Sequence, residues 1–530
     1  MTARIFLWAA ALVIFVAGLL PLFFMVGASL FSNGNLNLAP YHELFHSGRQ
    51  LLLLKNSLAL SALVAVIATT LGVCLAILLG KCNLPSRSVL IFAFTIPFLV
   101  PPYIFALAWN EALTPGGILS LLVPEPWLEG LQAGLFTIWG AALVMSTVYL
   151  PVVMLLVMAF LHTVKPGVEE AARLCTPWHG VLTRVTLPLV LPGIAFCFLL
   201  VFVLTLGEYS VPSYLRYPVY PVEAFTQFSA MYDFKAATAA SLPIGAVALI
   251  VLLVEIVLLY KKGTGLEVQP HAQGFLTIDL GRFAWPFAII LWGICVVVVL
   301  LPILALFYRA MTPGILEDVL EIGARPLVRS LVFAIIGGSI LTVTGFLAAY
   351  LIKNRAIWSW WLVDMSSFLL FAIPGAVLAI GLIQLWNTRW TGSIYGTMWM
   401  VIIGYVARYY FVATRIMLVQ LGAISKSMEE AAQLAGAGWI QRVAYILVPL
   451  SRKGLLAAWL CSFLFCLRDI DITMLVYPPG ADTLPVRIFT VMANGRPEVV
   501  AGLCMLMVAS VTLPATFLWR HFTSSKKVMP

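Results

Sequence analysis

Two clusters of acids and alanines interrupt an otherwise apolar chain: Glu169-Glu170-Ala171-Ala172 and Glu429-Glu430-Ala431-Ala432. Each opens a short basic stretch that ends in an apolar-Pro pair, Leu187-Pro188 or Val448-Pro449, just before a hydrophobic run. The chemistry these residues suit is docking. Paired acids at a helix start complement its positive end, and small alanines let the surface of another protein approach closely. Gly436 would break the second helix, and Pro449 would open a fresh helix after an extended residue. In the first copy Thr176-Pro177 stands where the second has Gly436, so termination there would rest on the proline ring. No acid–base or nucleophile constellation gathers on one side of the chain, which argues against a membrane-embedded enzyme. No G-x-x-x-x-G-K-[ST] phosphate loop occurs either, so the chain has to borrow energy from elsewhere.

The elements that must carry these clusters follow from composition. The chain is 62% hydrophobic and 10% charged, with a mean hydropathy of +1.03, against about 25% charged residues in soluble domains. Ser57–Gly80 and Phe283–Tyr308 are unbroken apolar runs of helix-spanning length, whereas barrel strands alternate apolar and polar. The fold class is therefore an all-α integral membrane protein. Twelve apolar segments stand out: 5–31, 56–80, 88–110, 134–161, 189–207, 237–260, 283–308, 330–352, 362–386, 394–421, 454–473 and 499–519. The first is too long for the apolar core of a signal peptide. Short turns reading Lys81/Arg87, Lys261/Lys262 and Lys353/Arg355 predict both termini in the cytoplasm, since positive loops stay inside. The same rule absorbs the net charge of +9. No basic patch with interleaved aromatics points to nucleic acid.

An internal repeat organises the segments. Ser57, Gly72, Pro101 and Ala106 recur 273 residues later as Ser330, Gly345, Pro374 and Ala379. Tyr149 and Glu170 recur after 260 as Tyr409 and Glu430. Pro188, Gly193, Phe202 and Glu208 recur after 261 as Pro449, Gly454, Phe463 and Asp469. Matches in Gly, Pro and acids are less easily accidental than matches in Leu. Six spans per unit return the chain to its starting side, so the predicted architecture is two parallel six-helix halves about a pseudo-two-fold axis along the membrane normal. The first half would be 1–260 and the second 283–530, with 261–282 as a cytoplasmic linker.

The second cluster resembles the EAA loop of ABC-importer permeases: Glu-Ala-Ala, three residues, Gly, nine residues, Ile, one residue, Leu-Pro. Residues 430–449 match at each of those positions except Val448. The resemblance covers the whole chain as a fused pair of permease halves, nearest the ferric-iron group, with thiamine and phosphonate permeases nearby. Leu206-Gly207-Glu208-Tyr209-Ser210-Val211-Pro212, Leu475-Val476-Tyr477-Pro478-Pro479-Gly480 and Thr483-Leu484-Pro485-Val486-Arg487-Ile488 look typical of that group. The resemblance implies an inner-membrane permease that binds no cofactor itself. Two copies of an ATP-binding subunit would use the ATP, and an external solute-binding protein would deliver a small solute, ferric iron first. It also makes Glu170, Ala171, Ala172, Pro188, Glu430, Ala431, Ala432, Gly436 and Pro449 the docking residues.

Charges at membrane depth mark pathways or ion pairs. Glu208 and Asp469, with Asp471 beyond, could form an acidic mouth for a cation; each could instead pair with a neighbour such as Arg468 or cap a helix. Arg408 needs a partner, and Asp364 or Asp471 would serve. Glu255 would neutralise Lys261-Lys262. Pro97, Pro101, Pro151 and Pro374 could break helices around a cavity or only kink them. His162, His179 and His521 are scattered and form no metal-ligand set. The eight cysteines lack a C-x-x-C pair and read as small core residues. A proton- or ion-coupled secondary transporter is the competing class, but it leaves the paired loops without a purpose. Thiamine, a phosphonate or a polyamine are the alternative cargoes.

Overall fold

The computed structural model describes residues 2–32, 35–36, 48–229, 231, 234–260, 276–356, 358 and 360–524. Helices account for nearly all of them; the one strand pair among the described residues joins Phe31–Ser32 to Asn35–Leu36. Among the described residues, nine helices are long and apolar enough to cross a membrane. Two helix pairs are apolar enough only when taken together, and are bent through 101° (Arg87–Leu99 with Pro102–Leu121) and 109° (Trp360–Ala372 with Gly375–Trp386). The segment expected at 237–260 lies in Phe234–Tyr260, where the apolar stretch is the shorter Ala236–Val251. The twelve predicted segments thus coincide for most of their length with helices, but they are not twelve straight spans.

Proline explains the two bends. Pro101 (φ −53°, ψ 134°) and Pro374 (φ −53°, ψ 136°) sit at the breaks as N-caps of the second member of each pair. The residue before Pro101, Val100, is extended at φ −92°, ψ 148°, because the proline ring disfavours the α region in its predecessor. Of the prolines singled out in the sequence, these two break helices, whereas Pro97 and Pro151 remain inside theirs.

Proline also explains four wide turns. π-Helical turns occupy Phe15–Leu19, Leu182–Thr186, Val296–Leu300 and Val443–Leu447. Each is followed, two residues on, by a proline: Pro21, Pro188, Pro302 or Pro449. A proline in an α-helix clashes with the carbonyl four residues back and lacks an N–H to bond it. A π-turn, bonding five residues back, moves that carbonyl aside; Leu187 N–H donates to Leu182 O and Val448 N–H to Val443 O in this way. The extended residue expected before Pro449 is therefore absent. Val448 is helical and begins the helix Val448–Arg468 directly from the π-turn.

The described residues form two compact units, each assembled from three stretches. One unit contains Lys55–Val219, Val254–Leu327 and Leu484–Pro530. Its core packs Leu79, Leu90, Phe94 and Met154 against Leu291 and Cys295. Arg309 ties the three stretches together through Glu111 (3.4 Å) and Glu498 (3.2 Å). Ile278 returns to the end of the helix Gly48–Lys81, donating its N–H to Lys81 O at 2.7 Å and accepting from Asn83 N–H at 3.0 Å. The rest of the expected linker, 261–275, and the side chain of Glu255 lie outside the described residues.

The other unit contains Met1–Leu54, Tyr220–Leu253 and Val328–Thr483. Met25, Ala237, Ile373, Val377 and Ile380, drawn from all three stretches, share a core. The Tyr410 hydroxyl donates to Ala10 O at 3.0 Å, holding the N-terminal helix against Met398–Gly422.

Small residues set the helix spacing, as expected where apolar lipid offers little drive for helices to associate. A Cβ on Gly72 would lie 2.6 Å from Val153 Cβ, and one on Gly345 would lie 2.6 Å from Ala413 Cβ and 3.0 Å from Thr414 N. A Cβ on Gly245 would meet nothing within 4 Å. Gly345→Leu should therefore lower stability by about 1–3 kcal/mol through overpacking, and Gly72→Leu by a similar amount. Gly245→Leu should change it little. Thermal unfolding of the purified chain in detergent, followed by tryptophan fluorescence, checks the contrast.

Candidate functional site

The first cluster forms the helix Pro166–Cys175, with Pro166 at its first turn, where a missing N–H costs nothing. The second forms Lys426–Leu434, capped by Ser425, whose side chain accepts from Ser427 N–H at 3.2 Å. They end differently. Gly436 adopts φ +84°; its N–H donates to Gln433 O and that of Ala437 to Ala432 O, both at 3.0 Å. This paired bonding around a left-handed glycine closes the last turn. In the first copy Thr176 is extended (φ −151°, ψ 153°) ahead of Pro177, as the proline requires. The end of the second helix borders a recess lined by Gly436, Gln441, Arg442, Tyr445 and Ile446.

Both helices turn one acid in and one out. Glu169 and Glu429 are buried, at 1% and 7% exposure, while Glu170 and Glu430 are exposed. Ala171 and Ala431 are exposed, Ala172 and Ala432 half-buried. Leu174 and Leu434, one turn along from the outward acids, are each 90% exposed. Pro188 and Pro449 stand apart from these surfaces, in the helices Leu187–Leu206 and Val448–Arg468.

The inward acids are held differently. Lys81 Nζ lies 2.6 Å and 2.5 Å from the two Glu169 oxygens, and Thr186 Oγ1 donates to Glu169 Oε1 at 2.7 Å. Lys81 is 1% exposed; the sequence placed it in a short inside turn, but a charge there is free to enter the core once a carboxylate meets it. Glu429 instead accepts from the Tyr350 hydroxyl at 3.0 Å. Lys353 serves another purpose, donating to Leu421 O (2.6 Å) and Ile424 O (3.0 Å), carbonyls at the end of Met398–Gly422 that the helix itself leaves unbonded. A tryptophan follows each of the two acid–alanine helices. Arg173 stacks over Trp178 at 5.0 Å, and Trp439 stacks on Phe6 at 5.5 Å and meets Tyr350 edge-on at 6.1 Å. Lys81, Thr186 and Tyr350 carried no functional signal in the sequence; the adjacency of two acids was the one available hint.

The candidate pathway acids lie after the helices Leu187–Leu206 and Val448–Arg468. Glu208 accepts from Tyr149 OH (3.2 Å), from Ser210 N–H (3.0 Å) and from the Ser210 hydroxyl. Asp469 accepts from Tyr409 OH (2.5 Å), Thr473 Oγ1 (2.8 Å) and Thr473 N–H (3.0 Å). Both carboxylates thus bind a tyrosine and the start of the short helix that follows, Ser210–Tyr214 or Thr473–Val476. Asp471 shares a turn with Asp469 but pairs with Arg408 at 2.7 Å. Asp364, the other partner considered for Arg408, pairs with Arg415 at 2.9 Å.

No family model matches the chain. A Fe(3+)-transport system permease protein of Haemophilus influenzae, FbpB 2, is 22% identical over 493 residues, covering 90% of this chain and 92% of that protein. A ferric transport system permease protein of Actinobacillus pleuropneumoniae is 23% identical over 81% of this chain and 65% of its own length. The spermidine/putrescine transport system permease protein PotC of Haemophilus influenzae is 26% identical over 35% of this chain and 72% of its own. The chain is a relative of ABC-importer permeases. Its match over both halves is that of a fused permease close to the ferric-iron and phosphonate group, which places it among multi-pass inner-membrane proteins.

Arg408 and Asp471 are both largely buried, so removing one breaks a buried ion pair. Arg408→Met should destabilise the chain by roughly 3–5 kcal/mol. Arg408→Met combined with Asp471→Leu should recover much of that loss. A double-mutant cycle on detergent thermal midpoints reads the coupling.

Proposed function

We propose that this chain is a two-half permease of an ATP-driven importer, moving a small solute delivered by an external binding protein, with ferric iron as the cargo. Two copies of an ATP-binding subunit would seat on Pro166–Cys175 and Lys426–Leu434. The observation that carries this reading is the shared construction of the two helices: buried acid, exposed acid, exposed alanine, then a leucine left 90% in solvent. An exposed leucine on a polar helix is costly unless something covers it, since burying such a side chain is worth about 1.5–3 kcal/mol.

In this reading twelve membrane segments form two parallel halves about an axis along the membrane normal, with both termini and both docking helices in the cytoplasm. The recurrence of the bent pairs, π-turns and docking helices along the chain supports it. Glu208, Asp469 and Asp471 border the pathway. Their bonds to Tyr149, Tyr409 and Arg408 favour shaping the outer turns over gripping the cargo. Iron is favoured over a phosphonate, thiamine or a polyamine because the relatives spanning most of the chain carry ferric transport in their names.

Glu430→Arg reverses an exposed charge on the second docking helix without touching its buried anchor. It should reduce ATP-driven uptake in membrane vesicles by at least about tenfold, the scale of a lost charge-assisted contact, while expression and thermal midpoint stay unchanged. Normal uptake in that variant, or uptake that survives ATP depletion on a proton gradient alone, would overturn the reading.

A further inference from the structure

We infer that Glu169 and Glu429, the inward acids, are the positioning residues through which each docking helix moves its own core helix, and that the first link is the stiffer. The inference rests on the docking role proposed above and names the internal half of the same device.

A helix pushed by a partner shifts the membrane core only through contacts that resist its displacement. Glu170, Leu174, Glu430 and Leu434 point to solvent, so they can receive a force but cannot pass it inward. Glu169 can. Its carboxylate bonds Lys81 at the last residue of the 34-residue helix Gly48–Lys81, and Thr186 in the π-turn that leads into Leu187–Leu206. One side chain therefore joins the docking helix to the ends of two membrane helices. Lys81 and Glu169 are each 1% exposed, where water does not screen their attraction and separating them strands two charges.

Glu429 occupies the corresponding place, but its partner is the Tyr350 hydroxyl near the end of Ile315–Asn354. A single neutral donor constrains a carboxylate less than an ammonium shared by both oxygens. Lys353 attracts Glu429 through space, but its ammonium bonds the helix-end carbonyls Leu421 O and Ile424 O. The second docking helix is thus tethered by a direction-dependent bond and the first by an ion pair.

Hydrogen exchange on the intact complex, purified with its ATP-binding subunits, tests this without knowledge of the cargo. In the unaltered chain, adding ATP should change protection both in a docking-helix peptide (166–175) and in a core-helix peptide (76–84). Glu169→Gln should keep the ATPase bound and the change at 166–175, yet cut the change at 76–84 by about threefold or more, the order expected when a bridging bond is lost. Glu429→Gln, whose amide oxygen still accepts from Tyr350, should leave the response at 346–354 nearly intact, whereas Tyr350→Phe should abolish it. A full response at 76–84 in Glu169→Gln with the ATPase retained overturns the inference, even if the thermal midpoint falls. Should Glu169→Gln not fold, Tyr350→Phe, which loses only a hydroxyl, decides in the same way. If the unaltered chain retains no ATPase, the docking role itself fails and the inference falls with it. If the ATPase is retained but the variants respond like the parent, only the inference fails.

Discussion

A carboxylate taken out of water on the inner side of each acid–alanine helix is the constraint on which the site depends. Successive residues of an α-helix are turned by about 100°, so of two adjacent acids only one can face the core. Burying Glu169 against Lys81, and Glu429 against Tyr350, fixes the rotation of each helix. That rotation alone puts Glu170 with Leu174, and Glu430 with Leu434, on the outside. The exposed face is thus a consequence of the buried bond. A buried carboxylate is tolerated only with partners, which explains why a lysine is drawn into the core in one unit and a tyrosine turned toward the acid in the other.

Proline shapes the rest of the scaffold. The two bent helix pairs turn at Pro101 and Pro374, and all four π-turns precede a proline by two residues. In lipid every backbone group must find a partner within the protein, so a helix cannot simply open where a proline removes a bond. It either turns sharply and restarts or widens by one residue. Both solutions occur at corresponding places along the chain, so a π-turn leads into Leu187–Leu206 and Val448–Arg468 in the same way.

The charges divide the two units. Glu208 and Asp469 are held by a tyrosine and by the helix start beyond them, a shared arrangement that fixes turns. Arg408–Asp471 and Arg415–Asp364 belong to one unit only; the position matching Arg408 at the 260-residue offset is Val148. The corresponding positions therefore share their turn geometry and differ in charge, as they do in the anchors of the two acid–alanine helices.

Much of this was legible in the sequence, because apolar length, proline, glycine and paired acids act locally. Membrane helices, the positions of the two acid–alanine helices, and the break at Pro101 and Pro374 as one of two readings all follow from residue type and spacing. Three features did not. Lys81 looked like a loop charge, since burial depends on a carboxylate 88 residues away. The roles of Glu208 and Asp469 depend on tyrosines about 60 residues off. Which stretches share a core, Met1–Leu54 with Val328–Thr483 and Val254–Leu327 with Lys55–Val219, is also invisible to a linear repeat. The sequence by itself determined which segments are helical and where their backbone must yield. Only the tertiary structure decided which charges are buried and with whom, because that choice is made by partners far apart along the chain.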